Sequence, residues 1–279
     1  MDTGAPTDLT ESLRKHQGTD GGFGPRAGLP SEPEPTALAA LALPSPAAGA
    51  AVTWLDARAR PDGSFGLSLG SVDNDSATPI AALALPAGSA RDRALDHIET
   101  AKAEGTAEDP SVPHDARTKG WSWTRGAFGW TEPTGRALMA LRVLRPDSAA
   151  IADGLATLAD RQCGDGGWNY GNPVVLGTEL PGFAQTTAAA LLGLQGADAA
   201  IVEPGLAALR RLWREEHQGG LTLAMATAAL RLHHDPDARA AEVALRQLAA
   251  ADGFLGDTVS LAWAAIATGP ALERLVVPR

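Results

Sequence analysis

Hydrophobic and polar positions along this chain alternate in blocks. Stretches built almost wholly of Ala, Leu, Thr and Met occur at 36–43, 79–85, 134–142, 184–194, 222–232 and 258–267. Between them lie amphipathic stretches, among them Asp8 to His16 and residues 147–161, 199–216 and 237–250. Within 199–216, Leu206, Leu209, Leu212 and Trp213 recur at helical spacing, with Arg210, Arg211, Arg214 and Glu215 interspersed. That spacing predicts a helix with one buried and one wet face. A helix apolar all round predicts burial on every side. Two classes of helix in alternation predict an inner ring wrapped by an outer one.

Each apolar block follows a glycine-rich turn. The clearest copies are Asp20-Gly21-Gly22-Phe23-Gly24, Asp62-Gly63-Ser64-Phe65-Gly66 and Gln162-Cys163-Gly164-Asp165-Gly166-Gly167-Trp168. Shorter or degenerate copies stand at Asp252 to Gly256, Lys119 to Trp123 and His217 to Leu221, making six in all. One such unit cannot bury its own apolar face, so the units must stack. Pro44, Pro86 and the Arg145-Pro146 step predict sharp helix ends. Asp8, three before Glu11, predicts the first helix start. Ala101 to Thr118, polar and carrying Pro110 and Pro113, reads as a surface loop.

Charge and composition narrow the function. A net charge of −10 argues against nucleic acid and against an anionic membrane face. The lone Cys163 rules out an intrachain disulfide framework or a cysteine-rich metal knuckle. No run approaches the roughly 20 apolar residues that span a bilayer. Met1 to Pro6 shows no basic segment leading into an apolar run. The expectation is a cytoplasmic protein of one domain, residues 1–279. Seven of its thirteen aromatic residues are Trp, and Trp121, Trp123, Trp130 and Trp168 sit in turns, where a ring plugs stacked helix pairs or faces a ligand.

These turns and the Thr-Ala-x-Ala-Leu runs after them resemble the squalene-cyclase and protein-prenyltransferase repeat family, over roughly residues 8–268. The resemblance implies an all-α fold, an (α/α)6 toroid of six helical hairpins with a central cavity. It implies no single activity, since the family includes class II terpene cyclases, protein prenyltransferases and thioester domains. The thioester motif is not matched at Cys163-Gly164-Asp165-Gly166. The Cys and His that join an Asp as zinc ligands in the prenyltransferases are missing at Asp257-Thr258-Val259-Ser260-Leu261, so no resident metal is expected.

The cyclase signature, Asp-x-Asp-Asp-Thr-Ala at the head of an inner helix, is approached by Asp73-Asn74-Asp75-Ser76-Ala77-Thr78. The first and third positions match; Ser76 replaces the fourth. The resemblance implies that Asp75 is the acid that protonates an isoprenoid, with Asp73 as its partner. Two neighbouring carboxyls sharing a proton are suited to such work. Trp121, Trp123, Phe128 and Trp130 are candidates to face the resulting cation. Glu34, Glu132 and Gln185 hold similar places before other inner helices and are candidate substrate-binding residues at the mouth. Alternatives stay open. Acids at helix starts are also ordinary caps and dipole partners. Acids round one mouth could hold Mg²⁺ on a diphosphate substrate. The ring could also be a non-catalytic binder of a lipid, peptide or protein. Class II cyclases typically carry a second helical domain, so here a second subunit is a candidate to close the cavity.

Overall fold

A computed structural model describes residues 8–105, 114–215, 219–251, 253–254 and 256–278. Met1 to Pro6, much of the 101–118 loop, the turn residues His217 and Gln218, and Asp252 lie outside the described residues. In chain order the helices are α1 (Leu9–Arg14), α2 (Pro33–Ala42), α3 (Ala47–Asp56), α4 (Thr78–Ala84), α5 (Ser89–Thr100) and α6 (Thr131–Leu144). They continue as α7 (Ala150–Asp160), α8 (Ala184–Gly193), α9 (Ala199–Glu215), α10 (Gly220–Leu232), α11 (Ala238–Ala250) and α12 (Thr258–Thr268). A 3-10 helix, Pro270–Leu275, follows. The only strands among the described residues, β1 (Val174–Val175) and β2 (Thr178–Glu179), form a small antiparallel hairpin.

The even-numbered helices are the apolar blocks. Each packs on the next, and α12 packs on α2, so the six close into a ring. Each later odd-numbered helix packs on the inner helix before it, and α1 packs on α12. The fold is thus an all-α toroid. Every residue of α2 is buried, as its uniform apolarity demands. Small residues let backbones approach: a Cβ on Gly135 of α6 would stand 2.2 Å from the Ala189 carbonyl oxygen of α8.

The turns are stitched to the ring by a threonine in the first turn of an inner helix. Thr36, Thr78, Thr134 and Thr187 accept the amides of Phe23, Phe65, Trp121 and Trp168 at 2.8, 2.9, 3.0 and 2.9 Å. The turn aromatics are thereby buried as plugs. Trp121 donates its indole N–H to Ile98 O and Trp168 to Leu158 O, both at 2.8 Å. Gln17 and Gln162 repeat a second staple, each donating to its own turn and to the start of the next outer helix, at Ala47 O (3.1 Å) and Ile201 O (3.0 Å).

Both ends of the ring are crossed by arginines. At the inner-helix C-termini, Arg274 of the 3-10 segment donates to Ala40 O, Leu41 O and Leu83 O, at 3.1, 3.2 and 3.5 Å. Carbonyl ends carry the negative pole of the helix, so a cation is stabilised there. At the N-terminal end, Arg136 of α6 spans to Glu34 of α2.

Candidate active site

Four of the sequence candidates gather round Arg136. Its Nη1 donates to Glu34 Oε1 at 2.6 Å and its Nη2 to Glu132 Oε1 at 2.7 Å. Glu132 in turn faces Gln185 Nε2 at 3.4 Å, and Gln185 Oε1 accepts from Thr222 at 3.3 Å. The Trp123 ring lies 5.4 Å from the guanidinium. The arginine is 6% exposed, and although burial opposes its charge, Glu34 and Glu132 raise it above its ordinary value. Glu34, Glu132, Gln185 and Trp123 therefore form a polar bridge across the mouth of the ring.

The second group forms at the head of α4. Asp75 lies just before the helix, its carbonyl accepting from the Thr78 amide at 3.0 Å and the Thr78 hydroxyl at 2.6 Å. This anchors the backbone and leaves the side chain free to turn toward α5. There Asp75 Oδ2 meets His97 Nε2 at 2.8 Å and accepts from Arg125 Nε at 3.3 Å. Its other oxygen carries no hydrogen bond among the described residues. The side chains of Asp75 and His97 are only 12% and 9% exposed.

Asp62, from the second turn, completes the cluster. It accepts from Arg125 Nη2 at 2.7 Å and from the Ser64 amide and hydroxyl at 3.0 and 2.7 Å. Burial opposes its ionisation, but the Ser64 and Arg125 hydrogen bonds and the His97 ring hold its carboxyl far below the usual carboxylate range. The hydrogen bond to Asp62, outweighing partial burial and aided by Asp75, raises Arg125 above its ordinary value.

A cavity of about 290 Å³ opens beside this cluster, lined by Asp75, His97, Lys102, Glu104, Ser122 and Arg125 among others. Lys102 is itself ion-paired to Asp153. A smaller hollow of about 20 Å³ adjoins Asp75 and is walled by Pro79, Ile98, Trp121 and Pro133. Neither space is the central cavity expected from the sequence. Both lie between the head of α4, the outer helix α5 and the 121–130 loop, where Asp75 turns to His97.

Other expectations are redistributed. Asp73 is exposed and not brought to Asp75; its carbonyl accepts from the Arg125 amide at 3.0 Å, and its carboxylate has no partner among the described residues. The proposed carboxyl pair therefore does not form; the neighbours of the Asp75 carboxyl are an imidazole and a guanidinium. Of the four aromatic candidates, Trp121 alone lines a cavity at Asp75. Phe128 stacks on Trp130 at 5.0 Å on the rim, and Phe128 is exposed. No group of three His, Cys, Asp or Glu among the described residues could hold a metal. No described helix is long and apolar enough to cross a membrane.

Sequence reasoning missed His97, Arg125, Asp62 and Arg136. Arg136 had a signal: it is four residues after Glu132, inside an otherwise apolar block. Asp62 was read as a turn residue, and only the fold brings His97 and Arg125 to it.

No protein-family model and no curated protein matches the sequence. Solved structures do match its shape. A protein from Actinoplanes is 18% identical, with a TM-score of 0.60 over 96% of this chain and 99% of that one. A type II terpene cyclase from Scytonema, MstE, in complex with merosterolic acid A, is 15% identical, with a TM-score of 0.61 over 93% and 95%. The ent-copalyl diphosphate synthase of Streptomyces platensis is 18% identical, with a TM-score of 0.51 over 87% of this chain and 50% of that one. At such identities the likeness shows the fold: the helical toroid of class II terpene cyclases.

Proposed function

We propose that this toroid is a terpene-cyclase-like enzyme in which Asp75 starts cyclisation by protonating an isoprenoid. One observation carries the reading. A carboxyl at the head of an inner helix is withdrawn from bulk water, faces a cavity, and has one oxygen held by an imidazole while the other is unengaged. The proton on the free oxygen passes to the terminal alkene carbon of the substrate. The next double bond attacks the tertiary cation, and the final cation loses a proton to water. The product is an isomer of the substrate, any diphosphate is retained, and solvent returns the proton to Asp75. The His97 and Arg125 donors stabilise the carboxylate left behind. Trp121 is the aromatic placed to face the first cation.

The cavity, at about 290 Å³, is at the small end of ligand sites. A long isoprenoid would extend beyond it, along the surface or under a second subunit. The test is to incubate the protein with farnesyl and geranylgeranyl diphosphates and squalene, beside Asp75→Asn. A cyclised isomer that disappears in the variant is expected. No product, or unchanged turnover in the variant, refutes the reading.

A second reading is a non-catalytic toroid that binds a partner. The observation favouring it is the rim. Among the described residues, ten of the twelve exposed large hydrophobic side chains lie in the segments leading into α2, α4, α6 and α8, including Leu69, Val72, Phe128 and Phe183. Leu176, at the hairpin tip, is 97% exposed with φ +50°. Such a surface is typical of interaction sites.

A further inference from the structure

The three turns with the full Asp-Gly pattern allow the site to be compared with its own repeats. In each, aspartate Oδ1 accepts the amide two residues on, from Gly22 at 3.1 Å, Ser64 at 3.0 Å and Gly167 at 3.0 Å. In the first and last copies, Oδ2 then accepts from the outer helix packed on that turn. Asp20 takes the Trp54 indole of α3 at 2.7 Å, and Asp165 takes Arg211 of α9 at 2.9 Å.

The outer helix for Asp62 is α5, and its register is set by the turn glycine. Gly21 backs onto Ala50, four residues before Trp54; Gly63 backs onto Arg93, four residues before His97. His97 thus occupies the place of Trp54. Its Nδ1 nevertheless stands 3.7 Å from Asp62 Oδ2, beyond hydrogen-bond distance. Asp62 and Asp75 both face one guanidinium and one imidazole, each of which lies between the two acids. The contacts that follow the first copy's register, Asp62 with His97 and Asp75 with Arg125, measure 3.7 and 3.3 Å. The crossed contacts, Asp62 with Arg125 and Asp75 with His97, are the shorter, at 2.7 and 2.8 Å, while Arg125 Nε remains a longer donor to Asp75.

We propose that Asp62 is a positioning residue: by holding Arg125 Nη2 it keeps the guanidinium at the longer distance from Asp75 and leaves the short contact to His97, which stands where Trp54 stands in the first copy. The inference rests on Asp75 being the proton donor and deepens that reading. A guanidinium never gives up its proton, whereas an imidazole can pass one. The residue that must be recharged after each turnover thus has a proton-conducting partner at the short distance, with the permanent cation held further off. The charged groups round the imidazole are Asp75 from the α4 head, Asp62 from the turn and Arg125 from the 121–130 loop, with Lys102 and Glu104 on the same cavity wall.

The experiment compares Asp62→Asn, Arg125→Gln and the double variant, with Asp20→Asn and Asp165→Asn as turn controls. The first readout is the downfield imidazole N–H proton resonance of the His97–Asp75 hydrogen bond, assigned by its loss in His97→Gln. It is expected in the wild type, both controls and Arg125→Gln. It should vanish in Asp62→Asn, as the released guanidinium closes on Asp75 and displaces the imidazole, and return in the double variant. If Asp62→Asn misfolds, Asp62→Ser keeps an acceptor for the Ser64 amide without the charge, and the same loss is expected. The second readout is turnover. Asp62→Asn should lower kcat by up to about 100-fold, the effect of misplacing a reacting group, with KM little changed and most activity regained in the double variant. Persistence of the resonance in Asp62→Asn, or its failure to return in the double variant, overturns the proposal. If the wild type turns over no isoprenoid, the cyclase reading falls, and the resonance still decides the pairing.

Discussion

Replacing Arg136 with Met tests whether the mouth of the ring is held by charge. The guanidinium is 6% exposed and bridges two carboxylates that are 11% and 9% exposed. It spans from α6 to α2, which are not neighbours in the ring; α4 lies between them. Removing it leaves Glu34 and Glu132 facing each other with little water, and the cluster goes from one net negative charge to two. Breaking a buried pair in this way costs about 3–5 kcal/mol. Loss of an ordinary exposed pair costs at most about 1 kcal/mol. The methionine retains most of the aliphatic volume, so cavity formation adds little. The assay is urea unfolding followed by tryptophan fluorescence, read as the midpoint shift at constant slope. The triple variant Arg136→Met, Glu34→Gln, Glu132→Gln should recover most of the loss, because neutral amides remove the uncompensated charge. Arg136→Lys should fall between, since one ammonium cannot reach both carboxylates as a planar fork does. A single-variant loss below about 1 kcal/mol would show that the bridge is solvated and the mouth open. A triple variant no better than the single would show that packing, and not charge, is lost.

Two further outcomes follow from packing and burial. Gly135→Ala should destabilise by about 1–3 kcal/mol in the same assay, because its Cβ would meet the Ala189 carbonyl at 2.2 Å and backbone cannot yield as a side chain does; an unchanged midpoint would mean α6 and α8 can separate freely. Burial, the leading cause in each, lowers His16, His114 and His233 below the ordinary imidazole value. The unfolded chain then binds protons first on acidification, so their contribution is whole above about pH 6.5 and is lost as pH falls through the folded-state values. The thermal midpoint should therefore drop between pH 7 and pH 5, the unfolding free energy falling by at most about 1.4 kcal/mol per pH unit for each histidine, and His233→Gln should flatten the slope. A midpoint that rises on acidification in that window would contradict the burial of these rings.

Much of the architecture was written locally. The apolar blocks at 36–43 and 258–267 became α2 and α12 because a helix with no wet face has nowhere to go but inside. Asp8 caps α1 by accepting from Thr10 and Glu11, as its spacing predicts. The hairpin after Trp168 and the 3-10 plug carried no periodic signal and were not foreseen.

The sequence by itself determined the repeat, and with it the number and kinds of helices and the ring they build, since burial follows composition and spacing within each unit. It also marked Asp75 as the residue at the head of the second inner helix. The tertiary structure alone decided which way that carboxylate points and what meets it. His97 lies 22 residues away, Arg125 lies 50 away, and the bond between Glu34 and Arg136 spans 102. Such pairings depend on the radius and register of a closed ring, and no local pattern encodes a distance across it.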